Sequence, residues 1–341
     1  MSTRNGVWQA LDERLKLSDF TYPVPRHANT VAYSLGGISL IGFIVLIVSG
    51  ILLAQYYDPV PQLANDSVRA ITQGVHFARI LRGIHYWAAQ VVMLTVLLHM
   101  FRSFITGSFK KPREANWIIG VGLLAVTVGL FFTGTVLKWD QEGFEALEHN
   151  IAIGHLLGGL GHWFTPAFTE HVPLLVRLYI AHINILPGIL LLLLAGHFWL
   201  IKKHGISARP GQPVGEMLPF TAHLKHLGKY ALVFVGIVLI LAVLRPPAVG
   251  PAPVEGIEVT KPPWPFLSLF AVENWIGISG LFWASAVLFI LLLLVPFVDR
   301  SPHAVWRRRP VFIALGVLLL VVLAGLGLLA WLTPGAVHVG G

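Results

Sequence analysis

The chain contains no cysteine, which excludes disulfides, iron–sulfur ligation, thiolate zinc sites and any thioether-attached prosthetic group within this polypeptide. It is also short of charge. Asp, Glu, Lys and Arg make up 12% of its 341 residues, about half of the roughly 25% found in soluble domains, so an ordinary water-soluble fold is excluded. Disorder is excluded by the opposite excess, 55% hydrophobic residues and a mean hydropathy of +0.74. The net charge of +8 has no single basic patch behind it. Lys and Arg fall in short runs between apolar stretches, which argues against nucleic acid as a partner and for topology signals in a membrane protein. The first thirty residues carry Asp12, Glu13 and Asp19 and no apolar core leading to a small-residue cleavage site, so no cleaved signal peptide is expected.

What is present is a series of apolar stretches of about 20 residues, the length that crosses a bilayer. Seven are expected, near 32–55, 79–103, 116–138, 175–201, 229–245, 276–298 and 310–333, giving an all-α integral membrane protein. Thirty-four glycines and eleven tryptophans suit close helix contacts and interfacial rings. With seven spans, the N-terminus and the loops after spans two, four and six share one side. They hold seventeen of the twenty-four Lys and Arg residues. The positive-inside rule then places the N-terminus in the cytoplasm and the C-terminus outside, in a cell (inner) membrane. The outer connection 139–174 carries Asp140, Glu142, Glu145, Glu148 and Glu170 among aromatics and glycines and is expected to form short surface helices. The outer stretch 246–275, with Pro262, Pro263 and Pro265, cannot be one continuous helix. A polar stretch at 203–228 separates a four-span part, 1–210, from a three-span part, 211–341.

Histidines inside the apolar spans carry the chemistry. His85 and His99 lie 14 residues apart in span two, and His182 and His197 lie 15 apart in span four. Fourteen residues are just under four helical turns and about 21 Å of rise, so side chains at that interval share one face at two depths. Spans two and four run in the same direction, which pairs His85 with His182 and His99 with His197 in depth. Two histidines facing each other across a bundle supply both axial nitrogens of a haem iron, so the first four spans read as a bundle for two haems stacked across the membrane. A single buried histidine is more often bonded to a neighbouring carbonyl. Four in matched depth pairs are not accounted for that way, and a metal transporter would cluster them at one depth with carboxylates, which these spans lack.

Glycine repeats the interval, with Gly36 and Gly50 in span one and Gly120 and Gly134 in span three. A porphyrin face against a helix needs positions without a side chain. Arg82, Arg102 and Arg177 stand three to five residues from the histidines and can meet haem propionates near the surface or snorkel to the interface.

The stretch Arg177 to Pro210, with RLYIAHINILP and GHFWLIKKHGISARP, resembles the fourth helix and following loop of cytochrome b from quinol-oxidising cytochrome bc complexes. YSLGGISLIGFIVLIVSGILLAQYYDP in span one, Arg82 to Arg102 in span two, GTVLKWDQ ending span three and RRRPVFIALG entering span seven are similar too. The 15-residue spacing, the HGIS segment and the seven spans are closer to the photosynthetic, split form, here with both parts in one chain. The resemblance implies a quinone-reacting, electron-conducting subunit with two non-covalent haems b, the outer held by His85 and His182 and the inner by His99 and His197. It implies quinol or quinone as substrate and partner subunits, a Rieske iron–sulfur protein and a cytochrome c among them, in an oligomeric assembly.

Two departures bear on the outer quinol pocket. Pro262, Pro263, Trp264 and Pro265 stand where the family has proline-glutamate-tryptophan-tyrosine, and Lys138 stands where proline is usual at the end of span three. With the expected carboxylate absent, Glu142, Glu258 and Glu273 are the replacement acids by location. Lys202, His223, Lys225 and His226 can donate to a quinone oxygen at the inner side. Two other readings stay open: a cytochrome b serving as the non-bifurcating quinone module of another membrane redox complex, and a transporter or scaffold without redox turnover.

Overall fold

The computed structural model describes residues 4–74, 76–213, 215–335 and 337–338. The expected C-terminal position of Gly341 lies outside the described residues. After α1 (Arg4–Leu15) the chain forms α2 (Val31–Leu53), α3 (Pro61–Gln73), α4 (His76–Ile105), α5 (Glu114–Leu137) and α6 (Gln141–Leu156). The fourth span is built in three pieces: α7 (Leu174–Ile180), a π-helical turn over Ala181–Ile185 and α8 (Leu186–His204). Then come α9 (Phe220–Leu244), α10 (Leu267–Ile276), α11 (Ile278–Val298) and α12 (Pro310–Leu332). Among the described residues seven helices are long and apolar enough to cross a membrane, and they coincide with the seven expected spans. Their outward faces are apolar and exposed, as at Leu192, Leu232 and Val321, which suits hydrocarbon contact.

Phe43, Ala88, Val92, Leu123, Leu190, Leu194, Phe234 and Val238 form one buried cluster, contributed by α2, α4, α5, α8 and α9. Glycine permits this approach. A Cβ on Gly42 would fall 2.2 Å from Val92 Cγ2 and 2.9 Å from Phe234 Cζ, and one on Gly83 would fall 2.9 Å from Ala242 Cβ. The polar stretch that divides the sequence near residue 210 therefore does not divide the packing, because α9 is seated in the first bundle. By contrast α11 meets that bundle toward one end, where Phe109, Trp117 and Val121 pack with Phe289, Leu292 and Val295. Separately, Leu267, Phe270 and Ala271 of α10 pack on Ala330 of α12.

The loops at the two ends are tied differently. At the lysine- and arginine-rich end a two-residue strand Val24–Pro25 (β1) pairs antiparallel with Met217–Leu218 (β2). There Arg113 donates to the carbonyls of His204 and Gly205, and Arg309, fully buried, donates to Asp299 Oδ2 at 2.5 Å and to the Phe104 and Ile105 carbonyls ending α4. A cation satisfying the last carbonyls of a helix also opposes its dipole. Lys110 Nζ donates to Asp299 Oδ1 at 2.8 Å. Burial works to raise Asp299, but hydrogen bonds from Lys110, Arg309 and Ser301 outweigh it and hold the carboxyl below its ordinary range.

At the opposite end the expected surface helices exist, α6 among them, and so does α3, which the sequence reading left unassigned. Trp139 takes a left-handed φ of 49°, uncommon for a large side chain. It is held there by Asn65 of α3, which donates to its carbonyl at 2.8 Å, and by its own indole N–H, which donates to the Pro61 carbonyl at 2.9 Å.

Candidate functional site

His85 and His182 lie beside one another, and His99 and His197 lie at the other depth, each next to a glycine. The rings of His85 and His182 face one another with centroids 6.3 Å apart. Ser49 Oγ lies 2.9 Å from His85 Nδ1. Because its hydroxyl hydrogen is committed to the Val45 carbonyl at 2.7 Å, it accepts from the imidazole N–H. Thr133 does the same for His182, with Nδ1 at 2.8 Å and its own hydroxyl directed at the Gly129 carbonyl. Both rings are thereby fixed as the Nδ1–H tautomer, leaving Nε2 as a free donor atom. At the other depth His99 Nδ1 is 3.4 Å from an Arg102 nitrogen, and His197 Nδ1 is buried without a partner.

Each of the four glycines stands against one of these rings. A Cβ on Gly36 would come within 3.0 Å of His99 Cε1, on Gly50 within 3.3 Å of His85 Cε1, on Gly134 within 3.2 Å of His182 Cε1 and on Gly120 within 3.8 Å of His197 Cε1. So Gly36 and Gly50 on α2 and Gly134 on α5 clear space for imidazoles, while a Cβ on Gly120 would make ordinary contact with His197. The extra residue between His182 and His197 is absorbed by the π-turn at Ala181–Ile185. Pro187, one turn on, has no N–H to complete the regular ladder there.

The three arginines differ. Arg82 donates to the Pro247 and Ala248 carbonyls at 2.6 and 3.1 Å, and Arg177 to those of Trp163 and Thr165 at 2.6 and 2.7 Å, so both also pin outer loops. Arg102 lies 4.7 Å over the Tyr33 ring, bonds Ser108 Oγ at 3.2 Å and keeps a buried, unpartnered Nε. Among the described residues none of the three has a carboxylate within ion-pair distance.

Between α4 and α5 on one side and α11 and α12 on the other lies an apolar cleft of about 1400 Å³. Its lining runs along α5 from Trp117 to Thr135, 18 residues or about 27 Å of helix, so it traverses most of a bilayer. At one end it is lined by Pro262, Pro263, Trp264, Pro265 and the acids Glu142, Glu145, Glu258 and Glu273. The three expected acids thus share one chamber, in different circumstances. Glu142 pairs with Lys138, which also lies 3.2 Å from Asp140; the unusual lysine is therefore neutralised locally. Glu273 and Glu258 stand 3.1 and 3.5 Å from His149 Nε2. Burial opposes a charge on His149, but its pairing with Glu273, the Glu145 carbonyl and the charge on Glu258 raise it to about 9. His149 was missed in the sequence because a lone histidine on a short surface helix carries no spacing signal.

Glu145 has a structural task. Its carboxylate accepts from Val259 N at 2.9 Å, from Thr260 N at 3.0 Å and from the Thr260 hydroxyl, while Gln141 grips Pro251, Val254 and Ile257. Together they clamp the extended segment that leads to Pro262. Glu145→Ala removes the acceptor of two part-buried N–H groups, at about 0.5–1.5 kcal/mol each, and is expected to release that segment. Limited proteolysis at 255–260 should accelerate at least tenfold while haem content is unchanged.

At the basic end His223 Nδ1 lies 2.7 Å from Asn29 Oδ1 and His226 Nδ1 bonds the Ala222 carbonyl. Lys202 Nζ donates to the Asp19 carbonyl. His223 and Lys202 thus reach the segment 19–29, while His226 bonds within its own helix.

Comparison with known proteins agrees with this architecture. The family profile Cytochrome b/b6/petB matches residues 20–205. Cytochrome b6 of Heliobacterium modesticaldum is 38% identical over 190 residues, 54% of this chain and 89% of that protein. The cytochrome bc complex cytochrome b subunit of Chlorobaculum thiosulfatiphilum is 32% identical over 320 residues, 88% of this chain and 73% of that one. Among solved structures, a chain of a hyperthermophilic respiratory Complex III superposes with a TM-score of 0.78 at 26% identity, covering 96% of this chain and 91% of the other. With a seven-span bundle, paired intramembrane histidines and similarity running through both its parts, the chain belongs to the cytochrome b/b6 family, whose members are haem b subunits of bc-type membrane redox complexes.

Proposed function

We propose that this chain holds two haems b and conducts electrons across the membrane between quinone sites at its two surfaces. The observation that carries this is the set of four intramembrane histidines at two depths, each ring standing against a glycine. The 6.3 Å between the His85 and His182 ring centres would leave room for an iron atom between their two imidazole nitrogens. The Ser49 and Thr133 hydroxyls supply the tautomer that ligation needs. His85 and His182 would hold one haem, and His99 and His197 the other. Arg102, half-buried with no carboxylate at ion-pair distance among the described residues, fits a propionate, and Arg177, whose Nε is likewise buried without a partner, and Arg82 are the further candidates. Bound haem supplies one-electron carriers at two depths; the protein supplies their spacing and a dry, apolar surrounding.

The chain's own groups handle quinone and protons. The long cleft admits an apolar tail, and its acidic end places Glu258 and Glu273 where a quinol hydroxyl would lose its proton, with Glu142 a further acid held by Lys138. At the basic end Lys202, Lys225, His223 and His226 would donate to a reduced quinone. The excess of Lys and Arg at that end supports a cytoplasmic orientation for it, with the C-terminus outside. Other subunits of a bc-type complex, a Rieske protein and a cytochrome c included, complete the assembly. One observation favours a second reading: Pro263 stands where the family glutamate accepts a proton, and proline has no side-chain acceptor. A non-bifurcating quinone module is the corresponding function, and a co-purifying Rieske subunit separates the two.

The complex isolated from membranes should show b-type absorbance equivalent to two haems per chain, all extracted by acidified organic solvent and reducible by a quinol analogue. One haem per chain, or haem left on the polypeptide after extraction, defeats the proposal.

A further inference from the structure

Two buried polar atoms at the acidic end of the cleft have no hydrogen-bond partner, Glu273 Oε1 and His338 Nε2. Their side chains are 2% and 7% exposed. Such orphans are rare in folded proteins and call for an unrecorded water or ion. They belong to one cluster. His149, Glu273 and His338 each offer a ligand atom, all within 4.8 Å of one another. His149 Nε2 is 3.1 Å from Glu273 Oε1 but is not aligned to donate to it.

The surroundings of both histidines are those of metal ligands. His149 donates Nδ1–H to the Glu145 carbonyl at 2.7 Å, so a cation at Nε2 would take the place of the proton that Glu273 and Glu258 otherwise favour there. His338 has Nδ1 at 3.2 Å from Glu258 Oε1, and its backbone N–H donates to Glu258 Oε2 at 2.6 Å. Glu258 therefore grips His338 by ring and backbone and turns its Nε2 free. A histidine whose second nitrogen is held by a carboxylate or carbonyl is the usual form of a metal ligand, because the outer partner fixes the tautomer and the ring.

We propose that His149, Glu273 and His338 form a divalent-metal site of the two-histidine, one-carboxylate type, for Zn²⁺ or a similar borderline cation, with Glu258 orienting His338. In a tetrahedral site with bonds of about 2.0–2.2 Å the ligand atoms lie about 3.4 Å apart, so shifts of about an ångström close this set around an ion. Three protein ligands leave one position open, and since His149 and Glu273 also line the cleft, that position faces it. The ligands come from α6, α10 and position 338, far apart in sequence. An ion would tie His338 to α6 and α10 at the end of the cleft. It would also withdraw Glu273 from proton exchange, leaving Glu142 and Glu258 as acids of this chamber. The site is independent of the haem pairs and shares no residue with them.

The test uses the untagged chain in its native complex, stripped with a chelator and dialysed against micromolar Zn²⁺, with bound zinc measured by elemental analysis against haem. One tightly held zinc per chain is expected. Glu273→Gln and His338→Ala should each weaken retention at least a hundredfold. Glu258→Gln, which disturbs only the orienting partner, should weaken it about tenfold to a hundredfold, and Glu142→Gln should leave it unchanged. Full haem content in each variant shows that the chain remains folded, and protease cleavage after Pro334 should speed up only when zinc is absent. No bound zinc in the parent chain, or equal zinc in the parent and in both ligand variants, overturns the proposal and leaves the cluster holding a proton.

Discussion

Replacing His182 by leucine is expected to leave about one haem b per chain in place of two. Leucine fills similar space at the same helix position but offers no lone pair, and a ring 6.3 Å away on His85 cannot reach across the gap to supply the second bond. The other pair lies about 20 Å deeper and shares no ligand with the first, so its haem should remain, with unchanged absorbance and potential. Quinol-driven reduction from the acidic end should fall by at least a hundredfold, since the first carrier is gone. Reduced-minus-oxidised spectra and pyridine haemochrome titration measure both effects. Two haems retained in the variant would refute the pairing, and loss of both would refute the independence of the two sites.

The largest expected loss of stability is at the other end of the molecule. Arg309 is fully buried and serves Asp299 and the last carbonyls of α4 at once. In Arg309→Met the carboxylate keeps only Lys110 and Ser301, and two helix carbonyls lose their donor. Removing one member of a buried pair costs about 3–5 kcal/mol, so thermal denaturation of the purified complex should begin markedly earlier, with α12 the first helix to yield protection in hydrogen exchange. The same network predicts acid sensitivity. Asp299 is depressed when folded, so its stabilising effect is present above its unfolded value and disappears as pH falls through the folded one. Arg309→Met should weaken that acid dependence, and an unchanged denaturation profile would count against the network.

The spans were legible because each is long, apolar and nearly free of charge, so hydropathy alone locates them. The haem-type histidines were legible for a different reason: a polar ring in hydrocarbon is costly, and two such rings repeated at four turns restrict the geometry. In contrast, α3 was not read, since it lies between spans and its polar residues resemble a loop. Its role emerges only where Asn65 meets Trp139. The acids Glu142, Glu258 and Glu273 could be placed at one end of the membrane but not distinguished. Their differences lie in partners up to 124 positions away: Lys138 for Glu142, and His149 for both Glu258 and Glu273. His338 could not have been foreseen at all, because a histidine in a glycine- and valine-rich tail has no periodic context.

The glycine and histidine positions hold one more relation. In antiparallel helices, residues at equal depth are mirror-indexed: a step forward in one chain is a step back in the other. Gly36 opposite His99 and Gly50 opposite His85 obey this without remainder. Gly120 opposite His197 and Gly134 opposite His182 miss it by one, and the π-turn at Ala181–Ile185 is where that one residue goes. In an unbroken α-helix an added residue would rotate everything beyond it by about 100° and advance it by 1.5 Å, carrying His197 off the bundle face. The turn acts as a leap day in the helical calendar, resetting the phase so that the later dates fall where they did before. Deleting one residue from Ala181–Ile185 would thus convert the span to plain α-helix with its far half undisturbed. Shortening it anywhere beyond His197 would leave the turn in place, because the helix has already been corrected there.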